Sequence, residues 1–144
     1  MAFVGVHNRG WTLLRESQQS EGIHVAYLCD VHKGVLEQRK AEAKKMLGYT
    51  PKLEEDFRKV LEDPEVDAVA IATPEHLHAP QAIMALAAGK HVYVEKPCSH
   101  NPRENEMLVD AQRKHGLVVQ MGNQQRSAPT SIQAIKDIRD GLIG

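Results

Sequence analysis

Short apolar runs alternate with stretches of helical periodicity along the whole chain. The apolar runs predict strands over residues 2–6, 23–29, 66–72, 91–94 and 117–121, with a weaker candidate at 49–52. Between these runs, apolar residues recur every three or four positions, as on the buried face of an amphipathic helix. This alternation predicts a doubly wound α/β fold, with a mostly parallel Rossmann-type sheet of about six strands and helices on both faces.

Glycines, prolines and polar caps mark the ends of the predicted helices. The predicted helices cover residues 33–47, the stripe of Leu53, Phe57, Val60 and Leu61, the stretch between Pro80 and Gly89, residues 102–115 and residues 130–140. Asn101 followed by Pro102 is typical of an N-cap and a first helical residue. In the helix that follows, Met107 and Leu108 are expected to face the core.

The stretch from residue 66 to residue 97 predicts a strand, a helix and a second strand. Two strands joined in this way lie parallel and next to each other in one sheet. Thr73-Pro74 follows the first strand, and Glu95-Lys96-Pro97 follows the second. Because ligands of such sheets bind beyond the carboxyl ends of the strands, we expect the functional site at this edge.

Composition and charge narrow the class of protein. The chain has 144 residues, of which 42% are hydrophobic and 26% charged, as in one ordinary globular domain. A net charge of −1 gives no sign of the basic surface that binds nucleic acid or a membrane. The sequence contains no run of 18 apolar residues, so no membrane-spanning segment is predicted. With no signal peptide visible, the expected location is the cytoplasm, or outside it if a leader precedes residue 1. Cys29 and Cys98 lack CxxC spacing, which favours two reduced thiols.

A glycine-rich turn, GVHNRG, follows the first strand at residues 5–10. The dinucleotide fingerprint GxGxxG has a first glycine for the tight turn, a second for close approach of the pyrophosphate and a third for helix packing. Here His7 replaces the second glycine and adds a side chain where phosphate should come close. We predict a pyrophosphate-binding loop formed by Gly5, His7, Asn8, Arg9 and Gly10. The alternative is a strand-to-helix turn that happens to contain two glycines.

Asp30 ends the second predicted strand. In a dinucleotide-binding βαβ unit, an acid at this place holds the ribose hydroxyls. A carboxylate accepts hydrogen bonds from a 2′-hydroxyl and repels a 2′-phosphate, so Asp30 favours NAD over NADP. The alternative is a solvated acid in a loop.

His76 and His78 lie close together after the third strong strand. A His-x-His pair in this place could ligate a metal, as in a metal-dependent hydrolase, but ligand spacing among the other histidines is missing. Alternatively, either histidine caps the following helix. We therefore expect no metal site.

Two motifs resemble a known family of enzymes. TPEHLH at residues 73–78, followed by GKHVYVEKP at residues 89–97, is similar to the glucose-fructose oxidoreductase, inositol dehydrogenase and MocA family of nicotinamide-dependent oxidoreductases. The resemblance covers nearly the whole chain as the N-terminal Rossmann domain of that family. It implies a cofactor-binding domain over residues 1–126. Residues 127–144 would begin the connection to a C-terminal substrate domain that this chain does not include.

The resemblance also implies a reaction and a set of site residues. The reaction is oxidation of a sugar or polyol hydroxyl by hydride transfer to C4 of NAD, with NADP less favoured. Lys96 would lie beside the nicotinamide and the reacting hydroxyl and assist proton transfer, and Glu95 would bind ribose or orient the lysine. Together with Thr73 and Pro74 at the sheet edge, the residues implied at the nicotinamide end of the cofactor are His78, Gln124 and Arg126. Pro97 is open to either peptide isomer.

Three readings of the function remain open at this point. The first is a sugar or polyol dehydrogenase, of which this chain would be the cofactor-binding part and by itself inactive. The second is an NAD-binding module that senses redox state without catalysis. The third is the metal-dependent hydrolase. The last predicted helix carries an apolar stripe formed by Ile132, Ile135 and Ile138. We expect another part of the protein or a second copy of the chain, as in a homo-oligomer, to pack against this stripe.

Overall fold

The computed structural model describes residues 1–142, which contain one six-stranded sheet. Its strand order is β3-β2-β1-β4-β5-β6, and every neighbouring pair is parallel. The strands are β1 Ala2–Val4, β2 Tyr27–Cys29, β3 Lys52–Glu54, β4 Ala68–Ile71, β5 His91–Glu95 and β6 Val119–Gly122. The order reverses between β1 and β4, as in a doubly wound nucleotide-binding sheet. The predicted fold class is confirmed.

Helices cover both faces of the sheet. They are α1 Arg9–Ser17, α2 Lys33–Leu47, α3 Phe57–Glu62, α4 His78–Ala87, α5 Pro102–His115 and α6 Pro129–Arg139, with 3-10 turns at Glu75–Leu77 and Gln124–Ser127. Alternate strand residues serve two cores: Phe3 packs with the helices α1 and α2, and Val4 packs with α3, α4 and α5. No helix in the described part of the chain is both long enough and apolar enough to cross a membrane.

The third strand begins later than the sequence predicts. The expected run was 49–52, whereas β3 is Lys52–Glu54. Pro51 has no backbone N–H and cannot donate to a ladder, so pairing starts with Lys52, whose N–H donates to the Ala26 carbonyl at 2.9 Å. Leu53 therefore belongs to the strand, and its predicted place in the following helical stripe is wrong.

The helix α5 begins and ends as predicted. The Asn101 side chain accepts a hydrogen bond from the Glu104 N–H at 3.0 Å, and Gly116 closes the helix in the left-handed region at φ 65°. One expectation about its buried face is wrong: Leu108 is buried but Met107 is exposed. Successive helical residues point about 100° apart, and α5 presents only a narrow stripe to the sheet.

The last helix is the least buried element. Ile132, Ile135 and Ile138 lie along α6 and are each about half exposed, so the predicted apolar stripe is present and uncovered. Of the predicted connection 127–144, residues 143 and 144 lie outside the described residues.

Asp63, at the opposite, amino-terminal edge of the sheet, joins four segments of chain through its carboxylate and its backbone carbonyl. Asp63 Oδ2 accepts hydrogen bonds from the Lys52 ammonium at 2.9 Å and the Tyr27 hydroxyl at 2.8 Å. Its Oδ1 accepts from the Glu65 N–H at 2.9 Å, and its carbonyl accepts from the buried Lys90 ammonium at 2.8 Å. The Lys52 hydrogen bond, with those of Glu65 and Tyr27, lowers the pKa of Asp63 from 3.8 to about 2.

We expect Asp63→Asn to remove an acid-sensitive part of the stability. Because the pKa of Asp63 is lower in the folded state, its contribution is present above about pH 4 and is lost as the pH falls towards 2. Melting temperatures measured between pH 2 and pH 7 should show the largest deficit for Asp63→Asn at pH 7 and convergence with the unsubstituted protein near pH 2. Asp110→Asn, at an exposed position of α5, is the control. A deficit that stays constant with pH would contradict this prediction.

Candidate functional site

A groove of about 960 Å³ lies along the carboxyl ends of the central strands. Its volume is in the range that small-molecule and cofactor sites occupy. The residues predicted from the sequence that line this groove are Gly5, His7, Asn8, Arg9, Asp30, Thr73 and Pro74. The structure thus brings the glycine-rich loop, the end of β2 and the end of β4 together at one sheet edge.

Two glycines allow the loop after β1 to make its turn. Gly5 has φ +79°, and a Cβ there would lie 2.7 Å from the Ala72 carbonyl oxygen. A Cβ at Gly10 would collide with the Gly5 carbonyl. Both positions therefore require glycine for steric reasons, as the first and third positions of the dinucleotide fingerprint do.

The first turn of α1 opens towards this groove. Asn8 is its N-cap residue, yet its side chain makes no capping hydrogen bond, and the first turn contains no acidic residue. The amides of an uncapped first turn, together with the helix dipole, favour an anion. His7, in place of the second fingerprint glycine, is exposed and lines the groove beside them.

A residue that the sequence did not identify holds the loop from behind. Arg39, on α2, donates from Nε to the Val6 carbonyl at 3.1 Å and from its guanidinium to the His7 carbonyl, and it lies over the Trp11 ring at 4.8 Å. Its side chain is only 13% exposed. Charged residues along a predicted helix are most simply interpreted as a solvated face, and that interpretation is wrong for Arg39. Only the tertiary fold brings its guanidinium to the loop.

Asp30 lies at the end of β2, where the sequence predicts a ribose-binding acid. Its Oδ2 accepts from the Val6 N–H and its Oδ1 accepts from the His32 N–H, each at 3.0 Å. Each carboxylate oxygen has a further lone pair and can accept a second hydrogen bond. Asp30 thus fixes the backbone of the glycine-rich loop and can also accept a hydrogen bond from a hydroxyl group of a ligand in the groove.

Apolar side chains that the sequence did not single out line the same groove as Asp30. They are Val31, Leu77, Pro80 and Met84, and Val31 and Met84 are exposed although they are apolar. Exposed apolar side chains in such a groove suit a flat, apolar ring. The one sequence signal for this part of the site is the apolar Val31 directly after Asp30.

Glu95 points into the protein rather than into the groove. It is 5% exposed, and its Oε1 accepts hydrogen bonds from Arg9 Nε at 2.6 Å and from the Gln124 amide. Its Oε2 accepts from the Lys96 N–H at 3.2 Å. The carboxylate therefore connects the glycine-rich loop, the end of β5 and the turn after β6.

Tyr93 and Gly122 complete this buried cluster. Burial, followed by the Glu95 charge, raises the pKa of Tyr93. A Cβ at Gly122 would lie 2.6 Å from the Tyr93 hydroxyl and 3.0 Å from Glu95 Oε1. A larger residue here would displace the ends of these side chains, so the glycine lets the cluster pack closely. The sequence did not indicate either role.

Lys96 and His78 occupy opposite environments. The Lys96 side chain is exposed, and the Lys96–Pro97 peptide is cis. His78 is 2% exposed, with Nδ1 2.6 Å from the Pro97 carbonyl oxygen and Nε2 2.8 Å from the Thr73 carbonyl oxygen. The His78 ring is therefore buried between the segments that follow β4 and β5.

His76 is exposed, and within residues 1–142 no group of three or more His, Cys, Asp or Glu side chains could hold a metal ion.

The two residues predicted after β6 lie apart from the groove. Gln124 is exposed, and its amide donates to Glu95. Arg126 lines a separate hollow of about 700 Å³ against α6, which it shares with Ile132 and Ile135. The structure thus brings Gln124, but not Arg126, into contact with the other predicted site residues.

Comparison with known proteins gives matches over most of the chain. A family model described as an oxidoreductase family with an NAD-binding Rossmann fold matches residues 1–123. Levoglucosan dehydrogenase of Pseudarthrobacter phenanthrenivorans is 38% identical over 104 residues, which are 72% of this chain and 26% of that protein. An α-N-acetylgalactosaminidase of Shewanella oneidensis is 27% identical over 149 residues, covering 100% of this chain and 32% of that protein.

Solved structures agree with these matches. Scyllo-inositol dehydrogenase from Lactobacillus casei, with bound NAD(H) and scyllo-inositol, superposes with a TM-score of 0.80 at 28% identity. The superposition covers 99% of this chain and 41% of that one. The chain therefore spans between 26% and 41% of the length of these three relatives.

Proposed function

Because the chain belongs to the oxidoreductase family with an NAD-binding Rossmann fold, we propose that it binds NAD in the groove at its sheet edge and serves as the cofactor half of a sugar or polyol dehydrogenase. The observation that carries this proposal is the geometry of the glycine-rich loop. Gly5 and Gly10 bring the uncapped start of α1 to a groove that Asp30 and Val31 also line.

The residues of the groove fit the parts of a dinucleotide. The amides of the first turn of α1, with His7, Asn8 and Arg9 beside them, suit the pyrophosphate. Asp30 would accept a ribose hydroxyl, which favours NAD over NADP, and the apolar walls near Val31 would hold the adenine. Thr73 and Pro74 lead from there to the end of β5, where the nicotinamide end would lie.

In this proposal Lys96 acts on the substrate. NAD, when bound, supplies the hydride acceptor for oxidation of a carbon–hydroxyl group. During oxidation the exposed Lys96 side chain, as a neutral amine, would accept the proton of the substrate hydroxyl while the hydride leaves the carbon; in the reverse direction the ammonium would donate that proton back to the carbonyl oxygen. Glu95 would hold the Lys96 backbone rather than bind ribose, because its oxygens already accept from Arg9, Gln124 and Lys96.

The substrate would require more of the protein than this domain. We assign the cofactor-binding domain to residues 1–126 and the start of the connection to a substrate domain to residues 127–144. Lys96 and Arg126 are exposed, and the isoleucines of α6 are half exposed. Because hydride transfer requires the substrate to be held close to its acceptor and shielded from water, we expect residues 1–144 alone to turn over no polyol.

A second candidate function follows from the galactosaminidase relative, which matches the whole chain. The same NAD-binding domain would then serve a glycoside hydrolase. The two candidates differ in net chemistry, since a dehydrogenase produces NADH in proportion to substrate and a hydrolase does not. For the full-length protein, NADH absorbance with inositols and sugars and release of nitrophenol from a nitrophenyl N-acetylgalactosaminide would separate them. Activity in neither assay, with NAD bound, would favour the redox-sensing module.

Cofactor preference tests the proposed groove. NADH should quench the fluorescence of Trp11, which lies beside the loop under Arg39. In Asp30→Ala, the ratio of NAD to NADP affinity should fall by about tenfold or more, because the charge that repels the 2′-phosphate is removed. The ratio is the appropriate measure, since loss of the hydrogen bond from the Val6 N–H would weaken both cofactors alike.

Glu55→Ala is the matched control, because Glu55 is another acid that lines the groove. It should change the ratio by less than about twofold. An unchanged ratio in Asp30→Ala would remove Asp30 from the ribose site. Failure of the unsubstituted protein to bind NADH at millimolar concentration would refute the proposed function.

A further inference from the structure

His78 bridges two segments of the sheet edge that carry the proposed chemistry. It is the first residue of α4, and its ring is almost completely buried. One ring nitrogen lies 2.6 Å from the Pro97 carbonyl oxygen, just after β5, and the other lies 2.8 Å from the Thr73 carbonyl oxygen, just after β4. Because carbonyl oxygens only accept hydrogen bonds, each ring nitrogen bonds its carbonyl only where it carries a proton, and a neutral ring donates to one of the two.

The bridge completes a support on both sides of Lys96. Before the lysine, the buried Glu95 accepts a hydrogen bond from the Lys96 N–H at 3.2 Å. After it, the Pro97 carbonyl oxygen lies against the His78 ring, 2.6 Å from Nδ1. Because the lysine side chain itself is exposed, these contacts of the neighbouring backbone determine the position and direction of its Cα–Cβ bond at the end of β5. At its other end the bridge reaches Thr73, which lines the groove.

We propose that His78 is a positioning residue that sets the distance of the Lys96 ammonium from the nicotinamide ring; this inference rests on the proposed binding of NAD. His78 touches neither the cofactor nor the substrate. It holds the Lys96–Pro97 segment against the groove wall at Thr73, and the lysine acts from the place so fixed.

The ratio of NADH to NAD affinity measures that distance. The oxidised nicotinamide ring carries a positive charge and the reduced ring is neutral, so a nearby ammonium disfavours NAD relative to NADH. At about 5 to 6 Å, in surroundings between water and protein interior, this repulsion corresponds to about tenfold in affinity. The adenosine, the pyrophosphate and the folded fraction of the protein affect both ligands alike and cancel in the ratio. A purely structural role of His78 would leave it unchanged.

The experiment compares NADH and NAD titrations of the 144-residue protein and its variants. The unsubstituted protein should prefer NADH by about tenfold, and Lys96→Met should abolish the preference. His78→Leu should reduce it at least about threefold, and His78→Gln, which keeps a donor, should recover part of it. Since His78 acts through Lys96, the double variant should match Lys96→Met alone. His76→Leu, at the exposed position two residues earlier, is the control and should keep the full ratio.

The outcomes separate the inference from the function on which it rests. If the unsubstituted protein binds neither ligand, the proposed function fails and the inference fails with it. If it binds both but Lys96→Met keeps the NADH preference, the lysine is not beside the ring and the inference is wrong. The inference is also overturned if His78→Leu lowers the melting temperature without changing the ratio, or changes the ratio equally in the Lys96→Met background. If His78→Leu does not fold, His78→Gln and His78→Asn decide the question by the same ratio.

Discussion

Gly10→Ala should abolish NADH binding and destabilise the whole domain. A Cβ at this position would collide with the Gly5 carbonyl oxygen and lie 3.0 Å from the Gly5 carbonyl carbon, both of which are backbone atoms. The clash can be relieved only if α1 moves away from β1, which would break the loop and uncover the buried Leu14. Overpacking of this kind costs about 3 kcal/mol or more, a large part of the stability of an ordinary domain. Thermal unfolding and NADH titration would measure both effects.

Gly34→Ala is a closely matched control for Gly10→Ala. Gly34 is the second residue of α2, as Gly10 is of α1. A Cβ at Gly34 would meet only the His32 ring, at 3.0 and 3.3 Å, and that ring can turn away at the loss of its 3.3 Å capping contact with the Val35 N–H. Alanine is favoured over glycine within helices, so this variant should stay within about 1 kcal/mol of the unsubstituted protein and bind NADH normally. Equal behaviour of the two variants would contradict the loop geometry described above.

Local signals in the sequence were enough to predict most of the fold. The helix α2, Lys33–Leu47, has the predicted bounds because Gly48 ends it in the left-handed region, at φ 79°. Asn101 marks the start of α5 in the same way, through a hydrogen bond that spans three residues. Caps of this kind are made within one turn of chain and can be read without knowledge of the tertiary structure.

The errors arise where tertiary contacts decide. Pro51 delays β3 because a ladder with β2 requires N–H donors, and a strand of three residues carries little periodicity of its own. Arg39 looked like one of many charged residues on a solvated helix face. Its contacts with the carbonyls of Val6 and His7 join residues 33 and 32 positions apart, which no local pattern reveals.

In the candidate site, too, local signals predicted the position of the site, whereas tertiary contacts decide the orientation of its side chains. The rule that ligands bind at the carboxyl ends of parallel strands located the edge, and seven predicted residues line its groove. The rule does not tell which side chains face the groove and which point inward. Glu95 points inward because Arg9, 86 positions earlier, and Gln124, 29 positions later, both donate to it. For Gly122, the close packing arises from the ends of the Tyr93, Gln124 and Glu95 side chains, of which Tyr93 and Glu95 come from another strand.

Glu95→Gln should be among the most destabilising single substitutions at this edge. The carboxylate is 5% exposed and accepts from Arg9, Gln124 and the Lys96 N–H, all of which are donors. A glutamine would place an NH2 group against at least one of them and leave the Arg9 guanidinium with only the exposed Glu16 carboxylate, 3.8 Å away, as a counter-charge. Breaking a buried ion pair from one side costs about 3 to 5 kcal/mol. Arg9 is 35% exposed, so water can partly replace the lost partner, and we expect about 2 to 3 kcal/mol.

This loss should appear as a melting temperature lower by roughly 5 to 10 °C for a domain of this size. The pair Arg103–Glu106 provides the control: its atoms are 2.8 Å apart, but its side chains are 74% and 65% exposed. Glu106→Gln should therefore cost less than about 0.5 kcal/mol. Adding Arg9→Met to Glu95→Gln should cost less than the sum of the two single substitutions, because the second change removes the charge that the first left unpaired. Additive effects, or equal losses for Glu95→Gln and Glu106→Gln, would show that the buried carboxylate does not hold these three segments together.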